Sequence, residues 1–180
     1  MKFNFRFVSK NPFLNELKAR TLELTEDDWK YFDYRQKNVV GHEDTLTVPI
    51  YFDTNNRFRD PQKTQLVEHR HTEKFRDVIS GIADMLNGLG EPWIVRRANL
   101  VTLPAGKGIP SHIDTTRLLT VTSRLHIPIF SNKDCAFFVG DETMHIPEGE
   151  IWEIDNTGKT HGTQNDGDSD RVHLIIDVQH

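Results

Sequence analysis

The sequence lacks the features that mark several classes of protein. Its one cysteine, Cys135, has no partner for an internal disulfide, which is compatible with a reducing compartment. No apolar run approaches the roughly 18 residues of a membrane span, and the N-terminus lacks the continuous apolar stretch of a signal peptide. Lys and Arg form no run and the net charge is -5, so no basic surface is indicated. We therefore expect a cytoplasmic protein that binds neither membranes nor nucleic acid.

The composition indicates a folded globular protein. The chain has 180 residues, of which 36% are hydrophobic, and 11 are Phe. This is enough apolar area to offset the entropy of ordering a single domain. The pattern changes near residue 90. We expect one domain, 1–180, in which residues 1–92 form a mixed α/β part that supports a catalytic core at residues 93–180. Nothing in the sequence indicates the oligomeric state.

Two strands and two helices are predicted in the N-terminal part. Apolar residues alternate over residues 1–8, and residues 46–52 are rich in β-forming types. Thr25 followed by three acids predicts a helix start, because a hydroxyl caps free amides and acids suit the positive end of the dipole. Thr72 is predicted to cap a second helix that ends at Gly88. The apolar stripe of that helix comprises Phe75, Val78, Ile79, Ile82, Met85 and Leu86.

The C-terminal part reads as mainly β. Short β-rich runs alternate with turns of Gly, Asn, Asp and Pro, a pattern typical of a sandwich or barrel. The predicted strands cover residues 94–103, 111–114, 120–129, 136–139, 142–146, 150–155, 162–165 and 172–178.

A candidate metal site begins with His112 and Asp114, which lie two residues apart. On a strand, residues i and i+2 point to the same face, so an imidazole and a carboxylate can reach one ion. His161, at the start of another predicted strand, is the predicted third ligand. Three such ligands leave positions open for substrates, as in non-haem Fe(II) oxygenases. The same ligand set suits zinc, so a metal-dependent hydrolase or isomerase is an alternative.

Three further residues are candidates for binding a cosubstrate. Arg171 opens a predicted strand shortly after His161, and its planar fork of donors matches a carboxylate such as the far end of 2-oxoglutarate. Arg124 and His126 repeat the i, i+2 spacing and would face the same molecule. The alternatives are an exposed or ion-paired arginine at position 171 and a hydrogen-bonded core histidine at position 126. His42 receives no role from the sequence.

The ordered motifs resemble a known family. They are His112-Ile-Asp114, Arg124-Leu-His126-Ile-Pro, the stretch FFVGDETMHIPEGEIWEIDN, His161 and RVHLIIDV. Together they resemble the aspartyl/asparaginyl β-hydroxylase family over roughly residues 95–180. The resemblance implies a double-stranded β-helix, or jelly-roll, core and an Fe(II)- and 2-oxoglutarate-dependent dioxygenase. Such an enzyme would use O2 to hydroxylate a small-molecule or peptide substrate, either an amino acid or a peptidyl Asp/Asn-type side chain. Succinate and CO2 would be its co-products.

The resemblance also assigns roles to single residues. His112 and His161 match iron ligands, Arg171 matches the 2-oxoglutarate anchor, and Arg124 and His126 match an Arg-x-His motif that contacts the cosubstrate. Asp114 is a difference from the animal aspartyl β-hydroxylases, which have glycine at the matching position. It matches related bacterial proline 3-hydroxylases, which keep a full triad. A non-catalytic binding module with the same fold is the remaining alternative.

Overall fold

The computed structural model describes residues 3–39, 41–54, 66–90 and 92–179. Four helices lie in these ranges: α1 (Leu14–Leu22), α2 (Glu26–Lys30), α3 (Tyr34–Asn38) and α4 (Thr72–Asn87). The first strands in these ranges are β1 (Phe5–Lys10), β2 (Leu46–Tyr51), β3 (Ile94–Leu103), β4 (Gly108–His112) and β5 (Ser123–Phe130). The others are β6 (Cys135–Val139), β7 (Glu142–Met144), β8 (Glu150–Ile154), β9 (His161–Asn165) and β10 (Arg171–Gln179). None of the helices in the described ranges is long and apolar enough to cross a membrane.

The strands form two antiparallel sheets. The six-stranded sheet has the order β1-β8-β5-β10-β3-β2, and the four-stranded sheet has the order β4-β9-β6-β7. The two sheets face each other, because the ring of Phe137 on β6 lies 4.9 Å from the ring of His126 on β5. This arrangement confirms the predicted jelly-roll core. The two N-terminal strands, β1 and β2, occupy the edges of the larger sheet.

Strand β10 shows why the larger sheet has one apolar and one polar face. Successive side chains of a strand point to opposite faces. One set lies in the hydrophobic core with the helices and comprises Val172, Leu174, Ile176 and Val178. The other set points towards the smaller sheet and comprises Arg171, His173, Ile175 and Asp177. Because both faces are covered, the strand is buried from Arg171 to Val178.

Helix α4 covers the apolar face of the larger sheet. Its predicted stripe is confirmed, since Phe75, Ile79 and Ile82 are fully or almost fully buried there. The predicted cap at Thr72 is wrong, because the N-cap residue is His71. The hydroxyl of Thr72 instead donates to the carbonyl of Ile50 on β2. This bond ties the start of α4 to the sheet.

Helix α2 begins as predicted. The hydroxyl of Thr25 accepts a hydrogen bond from the backbone N–H of Asp28 at 3.3 Å, and the Asp28 carboxylate accepts one from the N–H of Thr25 at 2.9 Å. These reciprocal bonds form a capping box. Helices α1 and α3 were not predicted.

The predicted strands match with local exceptions. β3 has the predicted bounds, Ile94–Leu103. The prediction over 111–114 is wrong at its end, because β4 stops at His112, where its pairing with β9 also ends. The first residues of the prediction over 120–129 form part of a 3-10 turn, Leu119–Val121. Of the strand predicted over 1–8, residues 1 and 2 lie outside the described ranges.

Candidate metal centre

Two antiparallel strands and one loop bring the three predicted ligands together. His112 ends β4 and His161 begins β9, and the two are direct cross-strand partners with ring centroids 4.2 Å apart. Asp114 lies two residues beyond the end of β4. Its backbone N–H donates to the carbonyl of Asn156 at 2.9 Å, which ties the chain after β4 to the loop between β8 and β9. The strand alternation used to predict Asp114 therefore does not apply, but the residue is in the site.

The distances fit one metal ion. Ligand atoms of the three residues lie within 4.8 Å of one another. Nε2 of His112 is 3.9 Å from Oδ1 of Asp114, and Nε2 of His161 is 3.8 Å from Oδ2. Two ligands at right angles, each about 2.1 Å from an ion, are about 3 Å apart. Side-chain movements of less than about 1 Å would thus bring all three into coordination distance.

His112 presents Nε2 to such an ion, and His161 is in the neutral form that an ion requires. Nδ1 of His112 lies 2.9 Å from the carbonyl of Pro110 and donates to it, which leaves the lone pair on Nε2. Burial lowers the pKa of His161 to about 4, despite the opposing effect of the Asp114 charge. His161 is therefore neutral at neutral pH, which is the form that binds metal.

The carboxylate of Asp114 is oriented by two donors. Its Oδ2 accepts from Nη1 of Arg124 at 2.5 Å and from Nδ2 of Asn156 at 2.8 Å. Burial would raise the pKa of Asp114, but the positive charge of Arg124 and the Asn156 hydrogen bond outweigh it and hold the pKa well below its usual value. Asp114 is therefore an anion with one oxygen engaged and the other beside His112.

Arg124 is held in turn by a second buried acid. Asp177, which is 1% exposed, accepts from Nε of Arg124 at 2.8 Å and from Nη2 at 3.2 Å. Nε of Arg97 also lies 3.2 Å from Asp177. The guanidinium that the sequence assigned to the cosubstrate thus links Asp177 to the metal-ligand candidate Asp114.

A small inner cavity of about 30 Å³ adjoins the triad. Arg171 lies at its wall and is 1% exposed. Its Nη1 donates to the hydroxyl of Thr163 at 3.1 Å, and its guanidinium lies 5.0 Å from the centre of the Phe137 ring. Within the described ranges no carboxylate forms an ion pair with Arg171, and its Nε has no hydrogen-bond partner. Arg171 is therefore neither an exposed charge nor an ion-paired one, and its burial lowers its pKa.

His126 also faces the inner cavity. It is 5% exposed, and its Nδ1 lies 3.4 Å from Nδ1 of His173. Its Nε2 has no partner in the described part of the chain. Burial and then the Arg124 charge lower the pKa of His126 far below its usual value, so the ring is neutral. The contact at Nδ1 agrees with the hydrogen-bonded core histidine of the alternative interpretation, whereas the unpartnered Nε2 leaves one nitrogen for a ligand.

A larger outer cavity of about 340 Å³ opens on the other side of the triad. The N-terminal part forms one of its walls with Arg35 on α3, and with His42 and Asp53. Arg35, His42, His112 and Arg124 line both cavities. The two cavities therefore meet at the candidate metal centre.

The sequence did not predict several residues of this site. Asp177 could have been inferred, because it is six residues after Arg171 on one strand and shares its face. Asn156 follows a strand in a turn and carries no such signal. Arg35 and His42 lie outside the recognised motifs, where only tertiary structure shows their proximity to the triad.

Sequence and structure comparisons identify similar proteins. A family model described as aspartyl/asparaginyl beta-hydroxylase matches residues 13–180. A comparison with curated protein sequences finds no match. A 2OG-Fe(II) oxygenase family oxidoreductase from Burkholderia pseudomallei superposes with a TM-score of 0.61 at 15% identity, covering 92% of this chain and 78% of that one.

Two prolyl hydroxylase structures have the same fold. The Pseudomonas putida prolyl-4-hydroxylase has a TM-score of 0.54 at 10% identity and covers 98% of this chain and 92% of its own. The viral collagen prolyl hydroxylase of Paramecium Bursaria Chlorella virus-1, in complex with 2OG, has a TM-score of 0.55 at 6% identity, with coverages of 98% and 96%. At these identities the likeness concerns the fold.

Proposed function

The chain belongs to the aspartyl/asparaginyl β-hydroxylase family and is a hydroxylase, and on that premise we propose that it uses Fe(II), 2-oxoglutarate and O2. The substrate is an amino acid or a peptidyl Asp/Asn-type side chain. The observation that carries the proposal is the placement of a buried, unpaired arginine beside a two-histidine, one-carboxylate cluster. That combination offers one site for a metal and a second for a carboxylate.

His112, Asp114 and His161 would hold the iron. The donor set fits, because two neutral imidazoles and one carboxylate on one side of the ion leave positions for other ligands. When bound, iron with 2-oxoglutarate and O2 supplies the oxidising power that replaces a substrate C–H by C–OH, with release of succinate and CO2. The protein contributes position and the exclusion of water.

Arg171 would bind the far carboxylate of 2-oxoglutarate. A buried guanidinium without an anionic partner is costly, and a bidentate carboxylate would satisfy it. His126, with its free Nε2, would contact the same molecule. Arg124 keeps Asp114 in orientation while Asp177 balances its charge. In this proposal Arg124 acts mainly on the metal ligand.

The inner cavity must enlarge to admit the cosubstrate. About 30 Å³ is room for about two water molecules, and 2-oxoglutarate is larger. The cavity continues into the outer one past His42 and His112. We expect the cosubstrate to lie along this passage, with its far carboxylate at Arg171 and its other end at the iron.

Calorimetry under nitrogen tests the proposal. Fe(II) should bind first, and 2-oxoglutarate should then bind to the iron-loaded protein more tightly than glutarate, which lacks the keto oxygen. Turnover with ascorbate, iron and a panel of amino acids and blocked peptides should release succinate. Arg171→Met should weaken 2-oxoglutarate binding about 10- to 100-fold while iron still binds.

The alternatives give different results in the same experiments. A zinc-dependent hydrolase or isomerase would bind Zn²⁺ tightly and would not bind 2-oxoglutarate. A non-catalytic module would bind ligands without turnover. Either result would refute the dioxygenase.

A further inference from the structure

The outer cavity contains a buried positive charge that the proposed chemistry does not use. Arg35 on α3 is 8% exposed and lines the outer cavity beside the metal centre, where it also borders the inner one. Its Nη2 is 3.1 Å from Nδ1 of His42. In the described ranges no carboxylate forms an ion pair with it.

Two nearby acids, Asp114 and Asp177, are already engaged by other arginines. Asp114 accepts from Arg124, and Asp177 accepts from Arg124 and lies against Arg97. His42 does not compensate the charge, because its imidazole, 3.1 Å from Arg35, cannot carry a negative charge. Among the residues that the structure describes, the Arg35 guanidinium therefore has no anion of its own.

The pKa of Arg35 agrees with this description. Burial, then the charges of Arg124 and Arg97, lower it to about 9, although Asp114 and Asp177 act in the opposite direction. The folded protein thus carries this cation at a cost in stability. A bound anion would remove that cost, whereas a neutral ligand would not.

We infer that Arg35 binds a carboxylate of the prime substrate, so that replacing this carboxylate by a carboxamide weakens binding. The inference rests on the proposed function and specifies its substrate class. The carboxylate is either the α-carboxylate of a free amino acid or the side-chain carboxylate of a peptidyl residue.

The geometry connects this anchor to the reacting centre. The His42 ring contacts Arg35 on one side, and its centroid is 5.8 Å from that of His112. A carboxylate bound at Arg35 would lie in the cavity that His112 and Asp114 also line. The cavity of about 340 Å³ is at the small end of ligand sites. It fits an amino acid or one side chain of a peptide.

Binding to protein loaded with Fe(II) and 2-oxoglutarate under nitrogen tests the inference without turnover. Free L-amino acids are compared with their carboxamides, and blocked Asp and Glu residues with blocked Asn and Gln. Thermal shift selects ligands and calorimetry measures affinity. We expect at least one acid to bind and its amide to bind at least about 10-fold more weakly. Binding of free amino acids would identify the α-carboxylate as the group held by Arg35, and binding of blocked Asp or Glu would identify the side-chain carboxylate.

The variants are Arg35→Gln and Arg35→Lys, with Lys37→Gln as a control. Lys37 is on the same short helix and pairs with Asp33 at the surface. Arg35→Gln should lower the affinity for the selected acid about 10- to 100-fold. Arg35→Lys should lower it less, and Lys37→Gln should leave it unchanged. In the two Arg35 variants, affinity for 2-oxoglutarate should fall less than affinity for the acid, and in Lys37→Gln neither affinity should change.

Three results would overturn the inference. The first is that acids and their amides bind the wild type equally well. The second is that the selected acid binds Arg35→Gln as tightly as the wild type. The third is that Arg35→Gln loses affinity for 2-oxoglutarate and not for the acid. If Arg35→Gln does not fold, the comparison of acids with amides on the wild type and on Arg35→Lys still decides. Failure of the proposed function is distinguishable, because the wild type would then not bind 2-oxoglutarate in the first step.

Discussion

Acidification of the metal-free protein should unfold it near pH 5, because four imidazoles are buried in neutral form. His42, His126, His161 and His173 are all at least nine-tenths buried. Burial is the main cause that lowers each pKa, to about 2 for His42, to about 4 for His161, and well below the usual value for the other two. In the unfolded chain each would titrate near pH 6.5.

The sign and size of the effect follow from proton linkage. Below pH 6.5 the unfolded chain binds protons that the folded protein excludes, so the free energy of unfolding falls with pH. Above pH 6.5 these groups do not reduce the free energy of unfolding. Below pH 6.5 they reduce it progressively as the pH falls towards their pKa values in the folded protein. Between pH 7.5 and 5.0 each imidazole accounts for about 2 kcal/mol, or about 8 kcal/mol for four. This is comparable to the whole stability of a typical domain, about 5–15 kcal/mol.

Urea unfolding followed by circular dichroism, in the presence of a chelator, measures this loss at intervals from pH 7.5 to 5.0. His173→Asn removes one of the four groups and should reduce the pH-dependent loss by about a quarter. A total loss below about 2 kcal/mol in the wild type would refute the reasoning, since that is the share of one group. The folded protein would then accept protons on these rings.

Three substitutions test the site itself. Asp114→Ala should weaken Fe(II) binding measured by calorimetry, because it removes a ligand and its charge; unchanged affinity and turnover would show that two histidines suffice. Arg171→Met should raise the 2-oxoglutarate concentration needed for half-saturation about 10- to 100-fold, with unchanged iron affinity, and equal losses for both ligands would contradict its role as anchor. Asp177→Asn should lower the free energy of unfolding in urea by about 3–5 kcal/mol, because Arg124 and Arg97 lose a buried counter-charge, and a change below 1 kcal/mol would contradict that account.

The strands of the core were predictable because their local and tertiary requirements agree. β3 has the predicted bounds, since a long β-rich run lies between turn residues and is covered on both sides. Helices α1 and α3 carry a weaker signal. α1 buries only Leu17 and Thr21 within its bounds, and α3 has five residues, of which Arg35 alone is buried. Such helices are stabilised by the surface on which they lie, which a periodicity cannot show.

The site was predictable where function restricts residue type and spacing. His112 and His161 were correctly expected to lie together, and the register of β4 with β9 makes them neighbours. Asp114 was expected from strand alternation, yet it reaches the histidines through a loop bonded to Asn156. That contact joins residues far apart in the sequence. Arg171 was expected beside the strand of His161, but its strand is in the other sheet and faces it across the cavity.

The two faces of β10 have different surroundings: one lies in the hydrophobic core, and the other borders the candidate site. The face with Leu174 and Ile176 packs against α1 and α4 and contributes most by burial of apolar area. The face with Arg171, His173 and Asp177 buries charge and neutral imidazole, which opposes folding unless each group is paired. Within the described ranges Nε of Arg171 has no hydrogen-bond partner, which stability alone does not explain. The far carboxylate of the proposed cosubstrate would supply that partner.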